Sequence, residues 1–460
     1  MRVLFVVIPW RTHLHLLVPL GWALQTAGHE VRVASGPEVT GFVTGSGLTA
    51  APVGSDEPTF EKVQRAQAEV LRKIVEERGG LDGLLDDVCE DREEELTWER
   101  LRWLYRVLGE TFKAMNDAMV EDLVEYCRWW KPDLVVWDYL SYAGPVAATA
   151  TGAVHARVPI GLDAPARMRR HFLRVRAQQP PQDREDPLAD WLGGWAEKYG
   201  ASFSEDMLTG HFTIDHMVGS MLLEQDVPQV PLGYVPYNGP AVVPDWLRGD
   251  PPRRRVLATF GVSLEKDPSA LEFSVEQLQE MLDSLADLDM ELVVTLPERI
   301  QREFERVPAN TRMVEFVPLH VVIPTCSAVI HHGGAPAFLD AVAHGIPQLV
   351  VTRICPDSGA RGPRLERAGA GLWISGDEPA DLSGAGIREH LVRLLDDPAF
   401  REGTGRLRKE LLSQPSPSRA VGVLEELTSR CRARAPPAGG GGGPPTRRGP
   451  HPGGPPPAPG

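Results

Sequence analysis

Between residues 328 and 351 the chain reads AVIHHGGAPAFLDAVAHGIPQLVV. Two histidines and two glycines, set between an apolar run and a segment of helical spacing, form a combination able to hold an anion. Glycine lets the backbone approach a ligand closely. The first N–H groups of the following helix point outward at the positive end of its dipole, so a phosphate or diphosphate is the natural guest. A histidine beside that turn can donate a hydrogen bond to an anionic oxygen, although a glycine-rich turn before a helix is also a common purely structural device. The Gly-Lys-Ser/Thr of a Walker loop is missing, and no GxGxxG follows the first apolar run, which disfavours kinase and NAD chemistry. What remains is a nucleotide-linked substrate held without an obvious metal site.

The elements that must position this turn follow from the apolar pattern. Ser327 to Ile330 reads as a buried strand end, Ala335 to His344 as a helix and Ile346 to Val351 as the next strand. The same alternation opens the chain: strand Val3 to Ile8, helix Leu16 to Ala27 with Gly28 as its C-cap, strand His29 to Ser35. Strand, helix, strand with short connections predicts a parallel, doubly wound sheet, whose ligands sit beyond the C-terminal strand ends. Trp10 to His15, including His13 and His15, then lie on the ligand side. KPDLVVWDYL from Lys131 predicts another strand ending near Asp138, followed by a small-residue helix over 143–152 and a strand from His155.

A second series begins with strand Val256 to Phe260 and continues through helix Ser274 to Leu288 and strands Glu291 to Leu296 and Met313 to Phe316. Residues 230–252 between the two series are dense in Pro and Gly and read as an interdomain linker. The expected architecture is α/β: domain 1–229, linker 230–252 and domain 253–434, two Rossmann-like units facing across a cleft. The Pro/Gly-rich stretch 435–460 has no apolar face to bury and is expected to be disordered.

A chain of 460 residues, 42% of them hydrophobic, suffices for two domains each with its own core. The net charge of -15 argues against a nucleic-acid partner. The acidic run Asp86 to Glu95 reads as a solvated helix face or a docking surface. Five scattered cysteines form no CxxC pair and suggest neither a disulfide framework nor a zinc site, which fits a reducing cytoplasm. The first apolar run is too short for a signal-peptide core, and no run of about 20 apolar residues predicts a membrane span.

Seven stretches in one order carry a more specific message: HLHLLVPLGWALQTAGHEVRVAS, GLTAAPVGSD, RWWKPDLVVWD, EDPLADWL, VPYNGPAVVPDWL, FVPLHVVIPTCSAVIHHGG and HGIPQLVV. With them the chain, from Met1 to about Arg430, resembles GT-B glycosyltransferases that move deoxysugars from dTDP onto polyketides. It is most similar to the macrolide and anthracycline subgroup that works with a cytochrome-P450-like activator protein. The resemblance implies inverting transfer of a deoxysugar or aminodeoxysugar to an aglycone hydroxyl, with no metal or other cofactor, by an activator-bound protein or a homodimer. It makes His13 the general base, with His15 as a competitor, and Asp138 the group that orients His13, unless that acid caps a helix. His332, Gly333 and Gly334 match the phosphate-binding turn, with His331 supporting it. Thr259 and Ser263 match a hydroxyl-bearing loop near the phosphates, Val317 to Leu319 the segment that reads the pyrimidine, and Asp357 an acid near the sugar. The aglycone wall is expected along Pro58 to Tyr105, with Trp98, Trp103 and Tyr105 as contacts or as core.

Pro336 and Ala337 depart from the resemblance, standing where such proteins usually continue with Gly and then Thr or Ser. Proline supplies no N–H and alanine no hydroxyl. Pro356 likewise replaces a usual tryptophan. A catalytically impaired paralogue that only binds partners is the alternative these departures raise.

Overall fold

The computed structural model describes residues 1–78, 96–261, 273–352, 357–375 and 382–434. Ser263, Pro356, the acidic run and the C-terminal stretch lie outside the described residues.

The first apolar run forms the centre of a parallel sheet. Along Arg2–Val6 (β1) and the residues that follow it, Val3, Phe5 and Val7 enter one core while Leu4, Val6 and Ile8 enter another. A strand covered on both faces must be apolar throughout. Its neighbours are Glu30–Ser35 (β2), Thr49–Pro52 (β3), Leu134–Asp138 (β4), Val154–Val158 (β5), Phe212–Asp215 (β6) and Gln229–Pro231 (β7). The sheet order is β3-β2-β1-β4-β5-β6-β7, all parallel. Helix Arg11–Thr26 closes one face, and the long helix Trp98–Trp130 covers the other with Leu101, Leu104, Phe112, Met119 and Leu123.

The second sheet repeats the plan with Arg254–Thr259 (β8), Met290–Thr295 (β9), Thr311–Val314 (β10), Ala328–His331 (β11), Gln348–Val351 (β12) and Gly371–Ile374 (β13). Its order, β10-β9-β8-β11-β12-β13, has the same winding as the first. Each sheet therefore reverses direction once, between β1 and β4 and between β8 and β11. Those reversals leave a crevice at the strand C-terminal ends, where open α/β sheets bind ligands.

Two features tie the sheets together. An apolar cluster joins Leu16, Leu162, Met217 and Met221 from the first half and Tyr234 from the linker to Phe338, Leu339, Ala360 and Leu407 from the second. In addition, helix Pro417–Arg434, which the sequence groups with the second unit, packs on the first: Ala420, Val421 and Leu424 enter the core beside Leu17 and Val33. Arg432 reaches Asp133 at 2.6 Å and Glu425 reaches His29 at 3.0 Å, which fasten this helix to the first half.

Candidate active site

A cavity of about 1090 Å³ lies between the two sheets and is lined from both. One drug-sized ligand needs about 300–1,000 Å³, so the space suits two substrates side by side.

On the first sheet, β1 ends at a switch point and a short link, Val7 to Trp10, leads into helix Arg11–Thr26. His13, expected in a loop, occupies the first turn of that helix and is 6% exposed. Its Nδ1 lies 3.2 Å from Oδ1 of Asp138, the last residue of β4 and fully buried. Asp138 is itself fixed by the Ile8 N–H at 2.7 Å, the Leu140 N–H at 2.9 Å and the Ser141 hydroxyl at 2.7 Å. Tyr139 stacks on the His13 ring and Trp10 meets it edge-on, which limits its rotation. That contact is not aligned as a hydrogen bond, but Nδ1 is the ring nitrogen that faces the carboxylate, which leaves Nε2 for chemistry. His15 also lines the cavity, but its ring packs on Tyr237 of the linker and pairs with no carboxylate among the described residues. Burial, then the charge of Arg11, pushes its pKa down to about 4.

The second sheet presents the glycine turn at its own switch point. His331, at the end of β11, bonds Gln348 Oε1 through Nε2 at 2.8 Å and accepts the Gly333 N–H at Nδ1, 3.1 Å away. Burial holds this ring neutral, with its pKa pushed down to about 3. His331 thus folds the turn and consumes the Gly333 donor. His332 sits between two glycines: a Cβ on Gly261 would fall 2.6 Å from its ring, and one on Gly334 2.8 Å. Gly261 and Gly333 have φ of +87° and +86°, which other residues adopt at a cost. Burial pushes the His332 pKa down to about 4 against the opposing pull of its hydrogen bond to the Thr259 backbone, so the ring is neutral at pH 7. Thr259 ends β8, lines the cavity and accepts the Thr295 hydroxyl at 2.8 Å. Helix Ala335–His344 starts here, with its first backbone bond from Phe338 N–H to the Gly334 carbonyl. Of its first three residues, Pro336 has no N–H to offer.

Asp357, expected near the sugar, lines the cavity and is held from both halves. Its Oδ2 accepts the Leu162 N–H of the first half at 2.8 Å, its Oδ1 accepts from Arg361 at 3.0 Å, and it is 7% exposed. Gly161 is required for that approach, since a Cβ there would fall 2.5 Å from the carboxylate. Asp357 therefore joins the two halves at the rim of the cavity that it lines.

Val317 and Leu319 line the cavity between Phe316 and the helix Leu319–Val322. Asn238, in the linker, holds them: its Oδ1 accepts from the His320 N–H at 2.9 Å, and its Nδ2 donates to Asp340 at 3.0 Å. The apolar wall comes from Leu104, Tyr105, Leu108, Phe112 and Met115 of helix Trp98–Trp130, further along than Trp98 and Trp103. Trp98 packs on Phe172 and Trp103 on Val70 and Val107 instead, so of the three expected aromatics Tyr105 alone lines the cavity. Residues 104–115 follow the helical spacing of core residues, so nothing in the sequence separates wall from core.

Among the described residues, His155, Asp206 and His211 are close enough to suggest a metal centre away from this cavity. The indole N–H of Trp137 points at His155 Nδ1, 3.4 Å away, which leaves the proton on Nε2. His211 Nδ1 meets the backbone of His155, and its Nε2 pairs with Asp206 at 3.3 Å. The trio is accounted for by its own hydrogen bonds.

Known proteins resemble the chain over most of its length. A family model described as "Erythromycin biosynthesis protein CIII-like, N-terminal domain" matches residues 22–261, and the corresponding C-terminal domain matches residues 279–427. The chain is 42% identical over 442 residues to aclacinomycin-T 2-deoxy-L-fucose transferase of Streptomyces galilaeus, covering 94% of this chain and 97% of that one. It is 43% identical over 440 residues to 10-deoxymethynolide desosaminyltransferase of Streptomyces venezuelae, covering 95% and 99%. Among solved structures, the glycosyltransferase VinC in complex with dTDP superposes with a TM-score of 0.80 at 38% identity, covering 94% of this chain and all of that one.

Proposed function

The chain belongs to the erythromycin biosynthesis protein CIII-like family, and from that membership we propose how its two switch points divide the work of a sugar transfer. The protein is a GT-B glycosyltransferase that moves a deoxysugar from a dTDP donor to a hydroxyl of a polyketide-type aglycone in antibiotic biosynthesis. Acceptor binding belongs to residues 1–229 and donor binding to residues 253–434, joined by 230–252.

In this reading His13 Nε2 removes the proton from the aglycone hydroxyl as its oxygen attacks the anomeric carbon. Asp138 orients the ring and stabilises the imidazolium that forms as the base takes the proton. The bond from the anomeric carbon to the diphosphate oxygen breaks on the opposite face, giving inversion and free dTDP. Negative charge growing on that oxygen meets the N-terminus of helix Ala335–His344, where preorganised donors act most strongly, while His332, whose ring proton goes to the Thr259 backbone, backs the turn. Thr259 lies beside the diphosphate, with Ser263 just beyond the described residues, while Val317 and Leu319 receive the thymine. Asp357 orients the sugar from the rim. The proposed chemistry uses no metal and no further cofactor.

The observation that carries this reading is the His13–Asp138 pair on one wall of a cavity whose other wall is the His332–Gly334 turn. A pair oriented for proton removal favours catalysis over the impaired-paralogue alternative. Three described thiols, Cys127, Cys326 and Cys431, are free, which fits a cytoplasmic protein, and no described helix is long and apolar enough to cross a membrane. A cytochrome-P450-like activator protein or a second copy of the chain completes the working assembly. The test is incubation with dTDP-deoxysugars and a panel of polyketide aglycones, with and without such an activator, read by mass spectrometry. Glycoside formed together with dTDP supports the proposal; dTDP binding without glycoside under either condition rejects it.

A further inference from the structure

The donor's diphosphate brings about two negative charges, yet the turn that receives it is short of positive ones. His332 is neutral, the Gly333 N–H is occupied by His331, and Pro336 has no N–H. Arg157 and Arg169 line the cavity from the first sheet, but Arg157 is paired with Asp163 and Arg169 makes a two-pronged bridge to Asp186 at 2.8 and 2.9 Å. Among the described cavity-lining residues of the second half, Arg361 is the one Lys or Arg.

Arg361 is 2% exposed, in the helix Ser358–Arg367. Its Nη2 donates to the Gly333 carbonyl and to Asp357 Oδ1, so one end of the guanidinium is anchored to the turn itself. The Phe338 ring lies 4.8 Å from the guanidinium carbon, and its Nη1 is buried with no hydrogen-bond partner. A buried guanidinium nitrogen left unbonded is costly, and a planar fork fixed at one prong is the geometry that suits an anionic oxygen at the other.

Resting on the reading of the glycine turn as the diphosphate site, we propose that Arg361 is a donor-binding residue whose Nη1 takes a non-bridging oxygen of the diphosphate and supplies the charge the turn lacks. Holding the Gly333 carbonyl with Nη2 also turns that peptide's oxygen away from the incoming anion. Asp357 sets the orientation of the guanidinium and partly offsets its charge, so it acts as a positioning residue here.

The test is calorimetric titration of the full chain with dTDP and with thymidine, for the natural protein, Arg361→Gln, Arg361→Lys and Asp357→Asn, at two salt concentrations. Arg361→Gln is expected to weaken dTDP at least tenfold, to leave thymidine within about twofold, and to reduce the salt dependence of dTDP binding. Arg361→Lys keeps the charge but loses the fork and should fall between, and Asp357→Asn should retain the preference for dTDP over thymidine. Unchanged dTDP affinity in Arg361→Gln and Arg361→Lys overturns the proposal. Equal losses for dTDP and thymidine also overturn it, because Arg361 would then act only by holding the pocket together. A natural protein that binds thymidine as tightly as dTDP would instead reject the diphosphate site on which the proposal rests, a result separable from either of these.

Discussion

Asp138 Oδ1 stands 3.2 Å from His13 Nδ1, joining the ends of β4 and β1 across the reversal of the first sheet. Because three donors, from Ile8, Leu140 and Ser141, hold that carboxylate, it has little freedom to release the ring. Asp138→Asn preserves the shape but replaces one acceptor oxygen with an amide, so the His13 ring loses its orientation and its countercharge. Transfer turnover is expected to fall about 10²-fold with dTDP affinity unchanged, read by parallel steady-state kinetics and calorimetry. A fall in dTDP affinity of the same size would assign Asp138 to folding rather than to chemistry.

The turn at Pro336 and Ala337 gives a prediction of opposite sign. Restoring a backbone N–H and a hydroxyl in Pro336→Gly/Ala337→Thr adds donors where a charged phosphate lies, and such bonds are worth about 1.5–3 kcal/mol each when well formed. Binding of dTDP should tighten about tenfold by calorimetric titration. An unchanged constant would show that the natural turn already satisfies the diphosphate.

Asp340 makes the seam between linker and donor half sensitive to pH. Burial raises its pKa to about 7, against the opposing hydrogen bonds from Asn238 and Tyr234. The folded state therefore holds a proton that an unfolded carboxylate has already lost, so this contribution is full below about pH 3.8 and is lost as pH rises through about 7. Asp340→Asn removes the titration. Its stability relative to the natural chain should climb between pH 5 and pH 7.5, by up to about 1.4 kcal/mol per pH unit, in urea unfolding curves. A pH-independent difference would contradict the ionisation of this buried group.

Much of the framework is legible in the sequence because apolar strands covered on both faces leave continuous runs, whose ends mark the ligand side of each sheet. The opening HHGGAP, His13 and Asp138 lie at the two reversals for that reason. Three features were not legible. His13 starts a helix instead of sitting in a loop, because Trp10 serves as an N-cap without a side-chain bond and so leaves no capping signal. Asp357 is committed to Leu162, a contact 195 residues away that no local pattern encodes. Arg361 was readable only as the i+4 partner of Asp357 on a helix, a spacing shared by many surface pairs, such as Arg72 with Glu76. Of the aromatics weighed as contacts or core, Trp98 and Trp103 fall to core and Tyr105 to the cavity wall, because helical periodicity marks a buried face without saying whether core or cavity covers it.

The most direct measurement is single-turnover transfer from a dTDP-deoxysugar to an accepted aglycone by the natural protein and by His13→Ala, both saturated with the two substrates, with the activator present in each. The account predicts a rate at least about 10²-fold lower for His13→Ala while dTDP binds both proteins equally. A His13→Ala rate within about tenfold of the natural one would contradict it and move the proton-removing role to another group, with His15 the next to examine.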